Sequence, residues 1–295
     1  MSKRHATLVH NEKAGDKRHD RAALVQLLER AGYTVSYFVA KQCDLVEALG
    51  QPAEIIVSAG GDGMVSRIAA HARSDGPPIG ILPLGTANNI ANSLGIHGPL
   101  DELVAGWQGA KSRPYYPLSA SGPWGVRRLI EGIGFSAFEQ AISELPRRLR
   151  VERARELIGK IVGDAPPENL EISIEGESVA GRFAVVEITA IPLVGPRLPL
   201  APEADPSDRN LDICFVGDTA AERQGFARWL EDPDSANAVP ASLRSAQRVM
   251  VAGQFRRIRL DSKIWEGESD PRTTNSWPVI GIATEPQPLH FLVAG

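Results

Sequence analysis

The 295-residue chain holds only two cysteines, and aromatic residues make up only 6% of it. Cys43 and Cys214 lie far apart and match no metal-ligand spacing. They point to a reducing compartment and buried thiols rather than a disulfide. No run of about 18 apolar residues occurs, so no segment reads as a membrane-spanning helix. The start, Met1-Ser2-Lys3-Arg4-His5, soon meets Asn11, Glu12 and Lys13, too short an apolar stretch for a signal peptide. Neither sign of charge dominates: the formal net charge of −4 argues against general nucleic-acid binding. Internal repeats and low-complexity tracts are absent as well. The expected location is the cytoplasm, with peripheral contact at the inner membrane face and a homodimer both left open.

A hydrophobic fraction of 43% with 23% charged residues suits a soluble globular protein, and the length suits two lobes. The first hundred residues alternate in type. Strand-like runs at 6–10, 34–39, 55–59 and 79–82 are separated by helical patterns at 20–31, 44–49, 64–72 and 88–94. Such alternation implies a parallel sheet covered on both faces, with ligands at the carboxyl ends of its strands. From about residue 113 strand-like runs dominate, at 171–174, 183–191, 211–216, 248–251, 258–260 and 289–293. Turn residues separate them, as in an antiparallel lobe. The reading is an α/β protein of two lobes: a Rossmann-like nucleotide-binding lobe with a parallel sheet over 1–115, completed by a last strand in 285–295, and an antiparallel β-sandwich-like lobe over 116–284.

Two glycine-bearing loops lie at carboxyl ends of the parallel strands. Gly60-Gly61-Asp62-Gly63 follows Ile55 to Ala59, and Pro83-Leu84-Gly85-Thr86-Ala87-Asn88-Asn89 follows Ile79 to Leu82. Glycine lets backbone come close to a bound group, and the next helix offers N–H donors to an anion. Asp62 is ill placed for a bare phosphate but suits a cation-linked phosphate or a reacting hydroxyl. Two such loops in tandem suggest a nucleotide-using enzyme. The plainer alternatives are a tight turn capped by Asp62 and a helix capped by Thr86.

Further segments stand in order along the chain: Asn11-Glu12-Lys13-Ala14-Gly15, Gly132-Ile133-Gly134-Phe135, Leu200-Ala201-Pro202 with Asp208 to Asp212, and Glu266-Gly267-Glu268. Together with the two loops they resemble the diacylglycerol kinase catalytic-domain family, in particular the soluble bacterial lipid kinases. Sphingosine kinases and, more distantly, NAD kinases share that superfamily. The resemblance implies transfer of the γ-phosphate of ATP to a lipid hydroxyl with Mg²⁺, on an α/β nucleotide lobe and a β-sandwich-like lobe with the active site between them. It implies nucleotide contacts from Asn11, Gly15, Gly60, Gly61, Asp62, Gly63, Met64, Ser66, Gly85, Thr86 and Asn88. Asp62 would act through Mg²⁺ or orient the acceptor hydroxyl, and Glu268 would be the general base. A structural Mg²⁺ would sit at Asp205, Asp208 and Asn210, with Asp208 the main side-chain ligand. A solvated turn explains these three equally plainly, and a β-turn with two exposed acids would explain Glu266 and Glu268.

Several positions depart from the family. Met64 replaces a threonine, Ser66-Arg67 replaces an Asn-Glu pair, Glu266 replaces an aspartate, and Ser136 stands where an aspartate is usual. These motivate a second reading, a non-catalytic nucleotide-binding or regulatory protein on the same fold; NAD kinase is a third. Arg147, Arg148, Arg150, Arg153, Arg155 and Lys160 lie within 144–163, with Leu145, Leu149, Ala154, Leu157, Ile158 and Ile161 at near-helical spacing. A basic amphipathic helix of this kind sits on anionic lipid, and the pattern also fits a packed helix with a solvated face.

Overall fold

The structure is a computed structural model that describes residues 4–15, 19–145, 149–235, 238–255, 257–267 and 278–293. The chain divides into two compact units, Met1–Tyr116 with Gln287–Gly295, and Pro117–Pro286. The first unit begins β1 (Arg4–His10), α1 (Arg21–Arg30), β2 (Tyr33–Val39), α2 (Leu45–Gly50) and β3 (Ile55–Gly60). It continues α3 (Asp62–Ala69), β4 (Ile79–Pro83), α4 (Asn89–Ser93), α5 (Leu100–Gly106) and β5 (Lys111–Tyr115). The second opens with β6 (Leu118–Gly122), β7 (Gly125–Leu129), β8 (Gly132–Phe135), α6 (Ala137–Glu144) and α7 (Val151–Asp164). Then follow β9 (Glu168–Ile174), β10 (Glu177–Thr189), β11 (Leu193–Val194), β12 (Leu198–Pro199), β13 (Leu211–Gly217) and α8 (Ala220–Trp229). β14 (Ser242–Ala246), β15 (Arg248–Gly253), β16 (Arg257–Leu260), β17 (Lys263–Glu266) and β18 (Val279–Thr284) complete it. The last strand, β19 (Leu289–Val293), belongs to the first unit.

In the first unit the sheet order is β2-β1-β3-β4-β19-β5, with β1 to β4 and the β4–β19 pair parallel and β5 antiparallel. All six residues of β3 are buried, as a strand covered by helices on both faces requires. α1 begins where the Asp20 carboxylate accepts the Ala23 N–H at 2.9 Å, and it buries Leu24 and Leu28 against the sheet core of Leu8, Val57 and Leu82. Gly32, at φ +88°, ends that helix in the left-handed conformation glycine favours.

In the second unit the long strand β10 organises an antiparallel sheet. Its first half pairs with β9; after a register shift between Phe183 and Val185, its second half lies between β8 and β13. One face packs a core that includes Ile133, Phe135, Val186, Ile188, Ile213 and Ile258. The other face carries α6, α7 and α8 through Phe138, Ile158, Val185, Val216, Phe226 and Trp229. α8 starts in a reciprocal cap, with Thr219 Oγ1 accepting the Glu222 N–H and Glu222 accepting the Thr219 N–H.

The segment 144–163 differs from the amphipathic basic helix its spacing suggests. α6 ends at Glu144 and α7 begins only at Val151. Arg155 is buried and donates to the Pro196 and Arg197 carbonyls at 3.0 and 2.8 Å and to Asp234 at 2.6 Å. On the exposed face Arg153 and Lys160 both pair with Glu156, beside exposed Glu152 and Asp164. The face is therefore of mixed charge, because helical spacing turns three acids to the same side as the two bases. Arg147 and Arg148 lie outside the described residues.

Candidate functional site

Three loops meet at the carboxyl edge of the parallel strands. After β1, the Asn11 N–H donates to Ala59 O at 2.9 Å, and the Gly15 N–H donates to Leu84 O at 2.9 Å. After β4, the Leu84 N–H donates to Gly60 O at 2.9 Å. The Asn11–Gly15, Gly60–Gly63 and Gly85–Asn88 segments thus form one hydrogen-bonded knot. Gly15 takes φ +72° to make its turn.

The glycines serve this knot. A Cβ on Gly61 would lie 3.0 Å from the Cα of Gly85, and one on Gly85 would lie 2.6 Å from the Cα of Gly61. Neither backbone can yield without parting the loops, so both positions exclude side chains. Asn88 then braces the second loop. It sits in the left-handed region at φ 53°, accepts the Gly85 N–H at 2.9 Å, and donates to Pro83 O at 3.2 Å and Gly85 O at 3.0 Å. Asn92 adds a bond to Ala87 O at 2.9 Å. The Asn88 amide therefore shapes the loop, and Thr86 is exposed at its apex.

Asp62 begins α3, yet its carboxylate is directed at α4. Its Oδ1 accepts the Ile90 N–H at 2.9 Å. Burial raises the carboxyl above its ordinary range, while the N–H groups of Ile90, Asn89, Asp62 itself and Asn88 pull it back. The N–H groups at the start of α4, which the sequence offers to a phosphate, here meet Asp62. The first turn of α3 differs, because its N-cap, Gly61, has no side chain to cap it. Apart from the Asp62 N–H, which meets its own carboxylate, that helix start is suited to a phosphate.

Met64 and Ser66 lie on the buried side of α3, at 4% and 8% exposure, with the Met64 Cβ 2.7 Å from where a Cβ on Gly60 would stand. Only their backbone could meet a nucleotide. Sequence reasoning missed a further group at this edge. His10 Nδ1 lies 2.9 Å from the Tyr37 hydroxyl, which donates to Glu12 at 3.4 Å, and Arg21 stacks 4.7 Å over the Tyr37 ring. Burial lowers the His10 pKa against the charges of Glu12 and Asp20. A histidine directly after the apolar Leu8-Val9 at the end of β1 was the available signal.

In the second unit the oxygen-rich turn folds on itself. Asp205 accepts the Ser207 N–H and hydroxyl at 2.9 and 2.7 Å, and Asp208 accepts the Asn210 N–H and amide at 2.8 and 3.2 Å. Among the described residues no three His, Cys, Asp or Glu side chains gather as a metal centre. Asp212 is raised to about 6, by burial first and by the Asp208 charge second, with Ser245 opposing. Two carboxyls that repel in this way fit Mg²⁺, which uses one or two carboxylates and keeps its waters. Glu268 lies outside the described residues. Both cysteines are free, and burial pushes the Cys214 thiol up.

Residues 5–115 match the family model of the diacylglycerol kinase catalytic domain. The chain is 25% identical over 226 residues to the diacylglycerol kinase of Bacillus subtilis, covering 72% of this chain and 73% of that one. Its fold is similar to the crystal structure of a diacylglycerol kinase from Bacillus anthracis, with TM-score 0.68 and 15% identity over 98% of this chain and 96% of that one. An NAD kinase from Archaeoglobus fulgidus in complex with ATP shares the fold at TM-score 0.55 and 14% identity, over 98% of this chain and 94% of that one. No described helix is long and apolar enough to cross a membrane. The knotted loops, from Asn11 to Asn88, lie inside the segment that matches the diacylglycerol kinase catalytic domain.

Proposed function

We propose that the protein is a lipid kinase that transfers the γ-phosphate of ATP to a lipid hydroxyl such as that of diacylglycerol. The observation that carries this reading is the uncapped α3 N-terminus inside a knot of side-chain-free backbone, within the segment that matches the kinase family. ATP supplies the phosphoryl group and Mg²⁺ neutralises its charge, so the chain's own work is positioning. Gly61, Gly63 and the first turn of α3 receive phosphate, with Asn11, Gly15 and Thr86 at its margin. Asp62 fixes the second loop by clamping α4, and its charge favours a cation-linked phosphate over a bare one. By resemblance, a separate structural Mg²⁺ within the second unit would take oxygen from the Asp208 side chain and from backbone of Asp205 and Asn210, with Asp212 as a charged neighbour. Glu268, by resemblance, takes the proton of the acceptor hydroxyl. Approach to an anionic membrane surface belongs to the same proposal, and the mixed charge of α7 directs the search for that contact elsewhere.

The second reading, a nucleotide-binding regulator, draws support from the buried Met64 and Ser66 and from the spending of α4 on Asp62. Incubating the purified chain with γ-labelled ATP, Mg²⁺ and a lipid panel separates the readings. Label in a phospholipid product is expected. Nucleotide binding without such product overturns the kinase reading in favour of the regulator, and label transferred to NAD instead favours an NAD kinase.

A further inference from the structure

A charged row crosses the sheet of the second unit. Cys214, Glu187, Gly134 and Arg259 are successive partners on β13, β10, β8 and β16. Gly134 leaves a slot in that row, and Glu139 from the first turn of α6 fills it: a Cβ on Gly134 would stand 1.9 Å from Glu139 Oε1. Arg259 Nε donates to Glu139 Oε2 at 2.5 Å, Nη2 donates to Glu187 Oε1, and Nη1 donates to the Asp261 carbonyl at 2.8 Å. The two glutamate side chains are fully buried and that of Arg259 is 4% exposed.

Among the described residues, the remaining charged and titratable neighbours do not balance this row. The Asp261 carboxylate is answered by the N–H groups of Ile130, Glu131 and Gly132 at 2.9 to 3.1 Å. Glu131 adds negative charge near Arg259, and Cys214 faces Glu187 as a buried thiol. Two dry carboxyls against one guanidinium leave a negative charge over, which a retained proton removes at least cost. Burial raises Glu187 well above its ordinary range; Arg259 opposes this, and Glu139 adds to it by charge and by a hydrogen bond.

We propose that the Glu139–Glu187–Arg259 cluster is a pH sensor built into the second unit: it folds with a proton held on Glu187 against Glu139, and loss of that proton loosens α6 from the sheet. The sign follows from linkage. A carboxyl raised in the folded state favours folding at low pH, and that contribution falls as pH rises from the ordinary value of 4.5 through the raised one. Glu139 is α6's polar attachment to the row, so repulsion between two ionised glutamates acts on that helix first.

The test is amide hydrogen exchange of residues 137–144 in the full chain from about pH 5 to about pH 9, a range spanning the ordinary and raised carboxyl values, corrected for the intrinsic pH dependence. In the wild type, protection of α6 is expected to fall about tenfold per pH unit once the proton leaves, as one proton requires. Glu187→Gln, which stays neutral, is expected to keep α6 protected with a flat profile. Should that variant not fold, infrared spectroscopy of the wild type at neutral pH must show the carbonyl band of a protonated carboxylic acid. A flat wild-type profile, an unchanged slope in Glu187→Gln, or absence of that band overturns the proposal.

Discussion

Gly61 and Gly85 in the first unit, and Gly132 and Gly134 in the second, look interchangeable on paper: paired glycines at or near strand-like runs. Their neighbours differ. In the first unit a missing Cβ admits another backbone, Gly61 against Gly85, and the buried acid nearby, Asp62, is answered by N–H groups at a helix start. In the second unit the missing Cβ of Gly134 admits the Glu139 carboxyl, and that of Gly132 admits the Ile188 carbonyl with the Glu187 carboxyl beside it; these acids are answered by Arg259. The first arrangement leaves another helix end uncapped for a ligand. The second closes on itself and leaves nothing for one. Glycine pairs mark close approach, and what approaches decides the chemistry.

The largest effect expected from breaking this contrast is at Arg259. Arg259→Met strands two buried acids, and chemical denaturation should register a loss of about 3–5 kcal/mol. The site loops lie in the other unit, so nucleotide affinity per folded molecule should hold. Gly134→Ala comes next: its Cβ displaces a carboxyl that Arg259 holds, and the cost should fall at the upper end of the about 1–3 kcal/mol typical of overpacking. Gly61→Ala, by contrast, should abolish nucleotide binding with a smaller loss of stability, because it parts two surface loops rather than opening a core. A Gly61→Ala protein that binds ATP like the wild type would remove the knot from the proposed site.

A smaller effect sharpens the metal assignment. Asp212 is raised from 3.8 to about 6, so its protonated form favours folding at low pH and that advantage fades as pH rises through about 6. Asp212→Asn should flatten this part of the stability profile, and added Mg²⁺ should shift the wild-type midpoint downward. A midpoint indifferent to Mg²⁺ would leave Asp208 and Asp212 as a plain repelling pair. Smallest is Tyr37→Phe, which removes the hydroxyl between His10 and Glu12 and should cost about 1 kcal/mol in thermal or chemical unfolding.

β1 to β4 and α1 to α4 were legible because apolar runs such as 55–59 alternate with helical patterns, and buried parallel strands must be apolar on both faces; α5 and β5 carried no such mark. β6 and β7, reading LSASG and GVRRL, carried no such pattern; they are strands because β18 and each other offer partners. α8 carried a readable signal in its Thr219-to-Glu222 capping box, but its apolar face is short. At the site, the order of the loops was legible and the use of their atoms was not. Nothing in the spacing says that Asp62 reaches 28 residues ahead to α4, or that Asn88 turns its amide back on its own loop. Glu187 and Arg259 stood as lone charges within apolar runs, which was the sign of the buried row that register alone resolves.

The most direct measurement takes nucleotide affinity and lipid phosphorylation together on one preparation of Asp62→Asn. The asparagine oxygen still accepts the Ile90 N–H, so the knot should survive and ATP affinity should stay within a few-fold of the wild type. Transfer of phosphate to lipid should be lost, because the negative charge that favours the cation-linked phosphate is gone. Wild-type turnover in this variant would contradict the account.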